Sequence, residues 1–554
     1  MAVTPTAAAP SPEAARANDS RPRPEIPSDR PARTIRLPAQ SACLLPLVLA
    51  LTLAAFGLLD SIRQHATLLW SFLGAAATLI AWNVVLFTPA WKNSRLFTLE
   101  IVLRKQHYLQ AGAQGLILLY WGWYWRPVYD AAHLIAAQLL FAYAFDMLLS
   151  WSRRHACTLG FGPFPVIFSI NLFLWFKPDW FYLQFLMVAL GFAAKQLIGW
   201  DKDGRRAHVF NPSSFPLAVF SVALLLTGTS DLTWGQDIAT TQFFPPNVYV
   251  LLFLVALPGQ FLFGVSSMTM PAVVTTYLLG LVYYAATGTF FFYDSYIPIS
   301  VFLGMHLLFT DPSTSPRTEL GRVIFGILYG LSTVALYAML GRAGLPTFYD
   351  KLLQVPILNL SIQLIDRASR ADALRRFDPA ALGRWLAPRQ RRLAYVAVWG
   401  MVFAVMSAVQ GVGDRHPGQW LPFWRQACEE ARPHACPYVA DMQARFCNQG
   451  SGWACSELGI LQARGALDRA AALASMARGC ELGFLPACSN ATNMAAAGTL
   501  ESAPPTLADY PIIVRGTKGP IVDRDPAALY ALACRTGWPD ACREAGGAAG
   551  RRFE

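Results

Sequence analysis

The chain has 554 residues, 54% of them hydrophobic and only 14% charged, and a formal net charge of +11. Because soluble domains carry roughly a quarter charged residues, this composition argues against a soluble protein. Apolar runs of about 18 residues or more recur from residue 43 to residue 412, which predicts a multi-pass membrane protein. The excess of Lys and Arg is then expected in short loops that set topology, and no nucleic-acid partner is expected.

Residues 1–38 form a separate N-terminal segment that is rich in Ala, Pro, Arg and Ser. Such a composition buries too little apolar area to offset the entropy of ordering, so this segment is predicted to be disordered. It is too long and too interrupted for a signal peptide, and we expect it in the cytoplasm.

The membrane part is predicted to be an all-α helical bundle of about thirteen spans. These spans lie at 43–60, 67–89, 107–125, 130–151, 157–176, 180–200, 212–228, 247–265, 270–292, 296–310, 321–341, 351–366 and 393–412. With the N-terminus inside, alternate loops hold most of the Lys and Arg, whereas the opposite loop 229–246 holds none. The expected setting is the lipid bilayer of a bacterial inner membrane.

The same pattern divides the chain into regions. Additional spans are expected at 39–104, a membrane core at 105–367, a basic cytoplasmic loop at 368–392 and the last span at 393–412. Since the number of spans is odd, residues 413–554 are placed on the periplasmic side.

Eight of the ten cysteines lie after residue 427, in four pairs with seven residues between partners. The pairs are Cys428 with Cys436, Cys447 with Cys455, Cys480 with Cys488 and Cys534 with Cys542. An even set at one spacing in an exported segment predicts disulfides. A zinc site is the weaker alternative, because zinc ligands favour pairs about two to four residues apart.

The cysteine-rich segment also repeats itself. Phe-Cys-Asn-Gln-Gly-Ser-Gly-Trp-Ala-Cys (446–455) has related stretches at 479–491 and 533–546, each with Gly or Pro between its cysteines. Repeated stretches of this kind predict an extracytoplasmic α-solenoid of helical hairpins. The segment resembles the disulfide-bonded Sel-like repeats over about residues 425–547. That resemblance implies binding of a periplasmic protein or peptide, and a stable cap without a partner is the alternative.

Two polar interruptions stand at the edges of very apolar segments in the membrane core. The first break is His-Val-Phe-Asn-Pro-Ser-Ser-Phe (208–215), and the second break is Phe-Thr-Asp-Pro-Ser-Thr-Ser-Pro (309–316). Backbone freed from a helix at membrane depth needs new partners, so the breaks predict a cofactor site there. Candidate cofactor-binding residues are Asn211, Ser213, Ser214, Thr310, Asp311, Ser313, Thr314 and Ser315. Helix capping is the structural alternative for the same side chains.

The order of these motifs carries a resemblance. Lys-Gln-Leu-Ile-Gly (195–199), the two breaks, Gly-Arg-Val-Ile-Phe-Gly (321–326) and the closing segment 348–367 follow one another. Together they resemble the family of related membrane subunits found in the Rnf electron-transfer complex and in the sodium-pumping NADH:quinone oxidoreductase. The resemblance covers about residues 105–367.

The resemblance implies a ten-span fold, a flavin (FMN or riboflavin) and electron transfer toward a quinone, coupled to ion movement. It also implies other subunits, since the chain shows no NADH site and no iron–sulfur cysteines. The family attaches FMN through a phosphoester to a Thr in a long outward loop. Here the loop is short and holds Asp237-Ile238-Ala239-Thr240, so Thr240 is a candidate but non-covalent flavin is favoured over covalent.

Other residues with possible roles also have simpler explanations. Lys195 at a span end either pairs with a flavin phosphate or extends to the membrane interface. His133 and His306 lie within spans, where packing or a hydrogen bond to a neighbour is favoured over haem ligation. Two functions remain open: a flavin-dependent membrane electron-transfer subunit, or a non-redox scaffold or transporter-like protein that binds its partner through the exported repeats.

Overall fold

The computed structural model describes residues 33–202, 205–409, 412, 416–419, 421–448, 452–464, 469–481 and 485–497, and these residues are mostly helical. The helices, in chain order, are α1 (Ala39–Ala55), α2 (Asp60–Arg63), α3 (Ala66–Lys92), α4 (Lys105–Tyr124), α5 (Pro127–Asp130), α6 (Ala132–Arg154), α7 (Pro163–Asn171), α8 (Tyr182–Leu197), α9 (Ser214–Thr227), α10 (Gly235–Thr241), α11 (Val248–Phe263), α12 (Ser266–Thr287), α13 (Ile299–Leu303), α14 (Glu319–Arg342), α15 (Gln354–Ser369), α16 (Asp372–Arg375), α17 (Pro379–Leu382), α18 (Pro388–Ala408), α19 (Leu421–Glu429), α20 (Ala435–Asn448), α21 (Gly452–Arg464), α22 (Arg469–Glu481) and α23 (Leu485–Ala497). The predicted helical class is therefore confirmed.

Six apolar helices among the described residues are long enough to cross a membrane. They are α1 with its short continuation to Leu58, α3, α6, α12, α14 and α18. Four further apolar segments, namely α8, α9, α11 and the segment 299–308, are 10–17 residues long. Because a helix rises about 1.5 Å per residue, these four are short for a hydrocarbon core of about 30 Å. Each of the thirteen predicted spans contains a helix, but the number of spans stays a prediction.

Small sheets correct the all-α prediction at the ends of the helices. Strand β1 (Arg33–Pro38) pairs antiparallel with β2 (Leu96–Ile101), which pairs parallel with β3 (Ala156–Leu159). The predicted disorder of 1–38 is therefore wrong for residues 33–38, because the half-buried Ile35 and Leu37 pack against the core from β1. Residues 1–32 lie outside the described residues.

A hairpin of β4 (Gly199–Lys202) and β5 (Arg205–His208) precedes the first break.

Glycines allow two close backbone contacts beside the breaks. A Cβ on Gly326 of α14 would lie 2.2 Å from the carbonyl oxygen of Met268 on α12. A Cβ on Gly191 of α8 would lie 2.3 Å from the carbonyl oxygen of Pro212, inside the first break. Side chains larger than hydrogen would force these backbones apart, so both glycines fix the position of the elements around the breaks.

The C-terminal helices α19 to α23 each contact the next one. Disulfides join Cys428 to Cys436, Cys447 to Cys455, and Cys480 to Cys488, each linking one helix to the start of its successor. These three predicted disulfides are confirmed. The fourth predicted pair, Cys534 with Cys542, lies outside the described residues. We call this helical segment, residues 416–497, the tail.

The start of the tail packs on the loop between α12 and α13. Arg432 donates a hydrogen bond from Nη1 to the carbonyl oxygen of Gly288 (2.8 Å). The buried Phe290 ring contacts Phe423, with centroids 4.7 Å apart, and Tyr293 stacks on Tyr438 at 4.2 Å. A shared aromatic cluster therefore attaches the tail to the membrane part of the chain.

Candidate functional site

The first break is organised by the side chain of Asn211, directly before Pro212. Its Oδ1 accepts hydrogen bonds from the backbone N–H groups of Ser213 (2.9 Å) and Ser214 (3.1 Å), and from the Ser213 hydroxyl (2.7 Å). The Ser214 hydroxyl donates to the Asn211 carbonyl oxygen (3.4 Å). Asn211 therefore caps the start of α9, which is the structural alternative that the sequence left open.

The second break has a related arrangement around Asp311. The Asp311 carboxylate accepts hydrogen bonds from the Ser313 N–H (3.0 Å) and the Thr314 hydroxyl (3.3 Å). The Ser315 hydroxyl donates to the backbone carbonyl oxygen of Asp311 (2.5 Å). The Thr310 hydroxyl donates to the carbonyl oxygen of His306 (2.7 Å). Most candidate side chains at this break thus serve the local turn, and Thr310 also lies at the edge of a cavity.

The two breaks contact each other directly. Nδ2 of Asn211 donates to the carbonyl oxygen of Leu308 (2.9 Å), immediately before the second break. His208 Nε2 lies 3.5 Å from Asp311 Oδ2. Asn359 of α15 bonds to both breaks, accepting from the Asn211 N–H (3.2 Å) and donating to the Thr314 carbonyl oxygen (3.2 Å). The two breaks therefore meet in the fold.

The charge state of Asp311 follows from this convergence. Burial raises the pKa of its carboxyl group, but the hydrogen bond and charge of His208 and the Ser313 N–H outweigh that effect. The pKa of Asp311 is held at about 2. The carboxylate therefore stays ionised near neutral pH and keeps accepting its three hydrogen bonds.

A cavity of about 310 Å³ lies beside the second break. Its walls are the first half of α4, the second half of α11, Thr310 and Pro312 of the second break, and the π-helical turn Gly304–Leu308 that continues α13. Gln110 of α4 donates to the carbonyl oxygen of Leu307 in this turn (3.1 Å). The volume is at the lower end of the range for small-molecule sites, about 300–1,000 Å³, and π turns are frequent at functional sites.

Two polar side chains that line this cavity carry atoms with no hydrogen-bond partner among the described residues. Gln260 is 1% exposed, and neither its amide oxygen nor its amide nitrogen is bonded. His306 is 2% exposed, and its Nε2 is also unbonded. A buried polar atom without a partner costs about 1–3 kcal/mol, and a hydrogen bond to a polar ligand edge would remove that cost.

The tautomer of His306 defines what its free nitrogen offers. Nδ1 lies 2.7 Å from the carbonyl oxygen of Phe302, which can only accept, so Nδ1 carries the hydrogen. In a neutral ring Nε2 is then an acceptor. Among the residues that line the cavity, Gln260 therefore has an unbonded amide donor and acceptor and His306 has an unbonded acceptor, beside the polar side chains of Gln110 and Thr310.

The remaining candidate residues lie in other places. Lys195 is in the last turn of α8, with Nζ 5.5 Å from the centre of the Phe192 ring. Thr240 is on α10, beyond the far end of α9 from the first break, and donates from its hydroxyl to the Gln236 carbonyl oxygen (2.9 Å). Because α9 has 14 residues, it separates its two ends by roughly 20 Å.

Sequence reasoning overlooked Gln260 and treated His306 only as a weak haem candidate. A signal for Gln260 was present, since Pro258-Gly259-Gln260 interrupts an otherwise apolar helix. For His306 the signal was a single ionisable side chain within an apolar run. Neither signal reveals that the two side chains face one cavity.

The chain was compared with protein-family models and with curated proteins, and neither comparison finds a match. The resemblance to the membrane subunits of the Rnf complex and the sodium-pumping oxidoreductase therefore depends on the ordered motifs of residues 195–367.

Proposed function

We propose that this chain is a membrane electron-transfer subunit that holds a flavin, FMN or riboflavin, non-covalently in the cavity beside the second break. The observation that carries the proposal is the pair of unbonded, buried polar groups on Gln260 and His306. The isoalloxazine edge offers an N–H between two carbonyl groups. An acceptor at His306 Nε2 and a donor at the Gln260 amide match that pattern.

A quinone is the second ligand that suits this cavity. Its oxidised form offers only acceptors, which pair with the Gln260 amide nitrogen, whereas its reduced form adds hydroxyl donors for His306 Nε2. Either ligand supplies one- and two-electron chemistry that protein side chains lack. The chain's own contribution is to bind the ring edge and to exclude water through the apolar walls.

The proposed setting is a bacterial inner membrane crossed about thirteen times, with the N-terminus in the cytoplasm and the tail in the periplasm. Support comes from helices within each predicted span, from the loop charges and from three disulfides, which persist in oxidising compartments. We propose that the tail is a Sel-like solenoid that binds a periplasmic protein, and that the chain works with other subunits of a membrane complex.

The experiment is gentle purification of the full chain with any bound partners, followed by absorbance and fluorescence spectra before and after acid precipitation. A flavin spectrum that moves to the supernatant on precipitation supports the proposal, whereas flavin in the pellet indicates covalent attachment, for which Thr240 is the candidate. In Gln260→Leu the bound flavin is expected to fall at least about tenfold, since one lost hydrogen bond to a buried polar edge costs about 1.4 kcal/mol or more. Gln236→Leu, at an exposed position of α10, is the control.

A non-redox scaffold is the second candidate, and one observation favours it. The polar groups of Asn211 and Asp311 are satisfied within the chain, so the breaks hold together without a ligand. A colourless preparation with no extractable quinone would exclude the electron-transfer proposal and leave the scaffold.

A further inference from the structure

We propose that residues 370–393, the arginine segment, form a binding site for the headgroups of anionic phospholipids. The segment connects the end of α15 to the first turns of α18 and includes α16 and α17. Its composition is amphipathic, and four of its arginines have no carboxylate at salt-bridge distance among the described residues. This lipid site does not depend on any redox function of the chain.

Charge is concentrated in this part of the chain. Residues 370–393 contain seven arginines against the two aspartates Asp372 and Asp378. Arginines close to an anionic membrane surface each add about 1 kcal/mol to binding. The segment is therefore a strong cationic patch unless nearby carboxylates neutralise it.

The carboxylates in this region are largely occupied. Glu319 accepts from Arg391 Nη2 (2.9 Å) and from the Tyr395 hydroxyl. Asp366 accepts from the Arg317 N–H (2.8 Å), and Asp378 caps α17 by accepting from the Ala380 N–H (2.9 Å). These carboxylates position the ends of α14, α15 and α17.

Four arginine side chains of the segment are not used in this way. Arg370, Arg376, Arg384 and Arg389 are exposed, and within the described ranges no carboxylate lies at salt-bridge distance from any of them. The guanidinium of Arg376 lies 4.9 Å from the centre of the Phe377 ring. Since a guanidinium matches phosphate with two parallel hydrogen bonds, these groups suit a phosphodiester.

Exposed apolar side chains alternate with these arginines. Trp385 is 78% exposed and Phe377 is 57% exposed, and Leu393 begins the exposed apolar face of α18. Leu364 on α15 is exposed in the same way next to the start of the segment. Trp and Phe beside Arg, at the point where two apolar helix faces end, are typical of the boundary between headgroups and acyl chains.

The occupant is therefore a lipid rather than a soluble anion. A soluble phosphate ester would use the arginines alone and leave Phe377 and Trp385 in water, whereas a phospholipid also covers the rings. An acidic protein segment is the competing occupant, and it would bind the arginines without a need for acyl chains.

The test uses the full-length protein, with lipid dissociation constants measured by native mass spectrometry. Phosphatidylglycerol is expected to bind at least about 100-fold more tightly than phosphatidylcholine with the same acyl chains. Each arginine is worth about fivefold in affinity, so R376Q/R384Q/R389Q should weaken phosphatidylglycerol binding about 100-fold and leave phosphatidylcholine unchanged. Salt at about 0.5 M should weaken binding by the unaltered chain and not by this variant.

The control variant carries three exposed arginines changed elsewhere, R63Q/R342Q/R478Q, and should bind lipid as the unaltered chain does. If the triple variant fails to fold, Arg389→Gln alone should still weaken phosphatidylglycerol binding about fivefold. Equal binding of phosphatidylglycerol by the unaltered chain and the arginine variants would overturn the proposal. Retention of a polyglutamate peptide in preference to phosphatidylglycerol would also overturn it, and would identify an acidic protein as the occupant.

Discussion

Asn359 accepts a hydrogen bond from the backbone N–H of Asn211, 148 residues away in sequence, with the two atoms 3.2 Å apart. Its amide nitrogen also donates to the carbonyl oxygen of Thr314. One fully buried side chain on α15 thus joins both breaks. The integrity of the candidate site therefore depends on a residue that the motif pattern did not single out.

Replacement of Asn359 tests this connection. Asn359→Leu leaves the Asn211 N–H and the Thr314 carbonyl oxygen buried without partners, and each such group costs about 1–3 kcal/mol. We expect the thermal unfolding temperature of the detergent-solubilised protein to fall clearly. Gln363→Leu, an exposed change on the same helix, should have little effect. Equal unfolding temperatures for the two variants would show that the breaks are held by other contacts.

The close contact between α12 and α14 predicts opposite effects of the same change at two glycines. At Gly74 of α3 a Cβ meets no atom within 4 Å, so Gly74→Ala should stabilise its helix by up to about 1 kcal/mol. At Gly326 the Cβ would lie 2.2 Å from the Met268 carbonyl oxygen, and the overpacking penalty of about 1–3 kcal/mol should exceed that gain. Unfolding temperatures of the two variants give the comparison. A stabilised Gly326→Ala would contradict the close packing of these helices.

The sequence predicted the features that depend on local pattern. Apolar runs located the helices, cysteine spacing located three disulfides, and Asn211-Pro212 located a helix start. It missed β1, because its partner β2 begins about sixty residues later and a short strand has weak periodicity. The unbonded state of Gln260 also depends on neighbours from α4 and the second break, which no local pattern identifies.

Acid should weaken the contact between the breaks. The pKa of Asp311 is held at about 2, below its ordinary value of 3.8, so its ionised form stabilises the fold above about pH 4. That contribution, about 2 kcal/mol, is lost as the pH falls from about 4 toward 2. The denaturation midpoint of the solubilised protein over this range measures it. Asp311→Asn should reduce the change of the denaturation midpoint between pH 4 and pH 2. Asp231→Asn on an exposed turn should leave that change as it is in the unaltered chain.

The tail disulfides predict both a location and a stability effect. Without reductant, a membrane-impermeant maleimide should label none of Cys428, Cys436, Cys447, Cys455, Cys480 and Cys488 in intact cells, and reductant should expose them. For so short a loop each bridge contributes about 2–3 kcal/mol, so the double change Cys480→Ser with Cys488→Ser should make α22 and α23 sensitive to protease. Labelling without reductant would contradict the disulfides, and labelling only after cell lysis would contradict the periplasmic placement.

The attachment of the tail depends on Phe290, which is buried between the loop after α12 and the tail residues Phe423 and Trp424. Phe290→Ala removes a buried ring, at a cost of about 3–5 kcal/mol, and should free the tail for cleavage by a protease added from the side on which it lies. The neighbouring Phe291 instead contacts Tyr283 and Tyr337 of the membrane part, so Phe291→Ala is the matched control. Its tail should stay as resistant as that of the unaltered chain. Similar cleavage of both variants would mean that general loosening of the loop, rather than the aromatic cluster around Phe290, controls access to the tail.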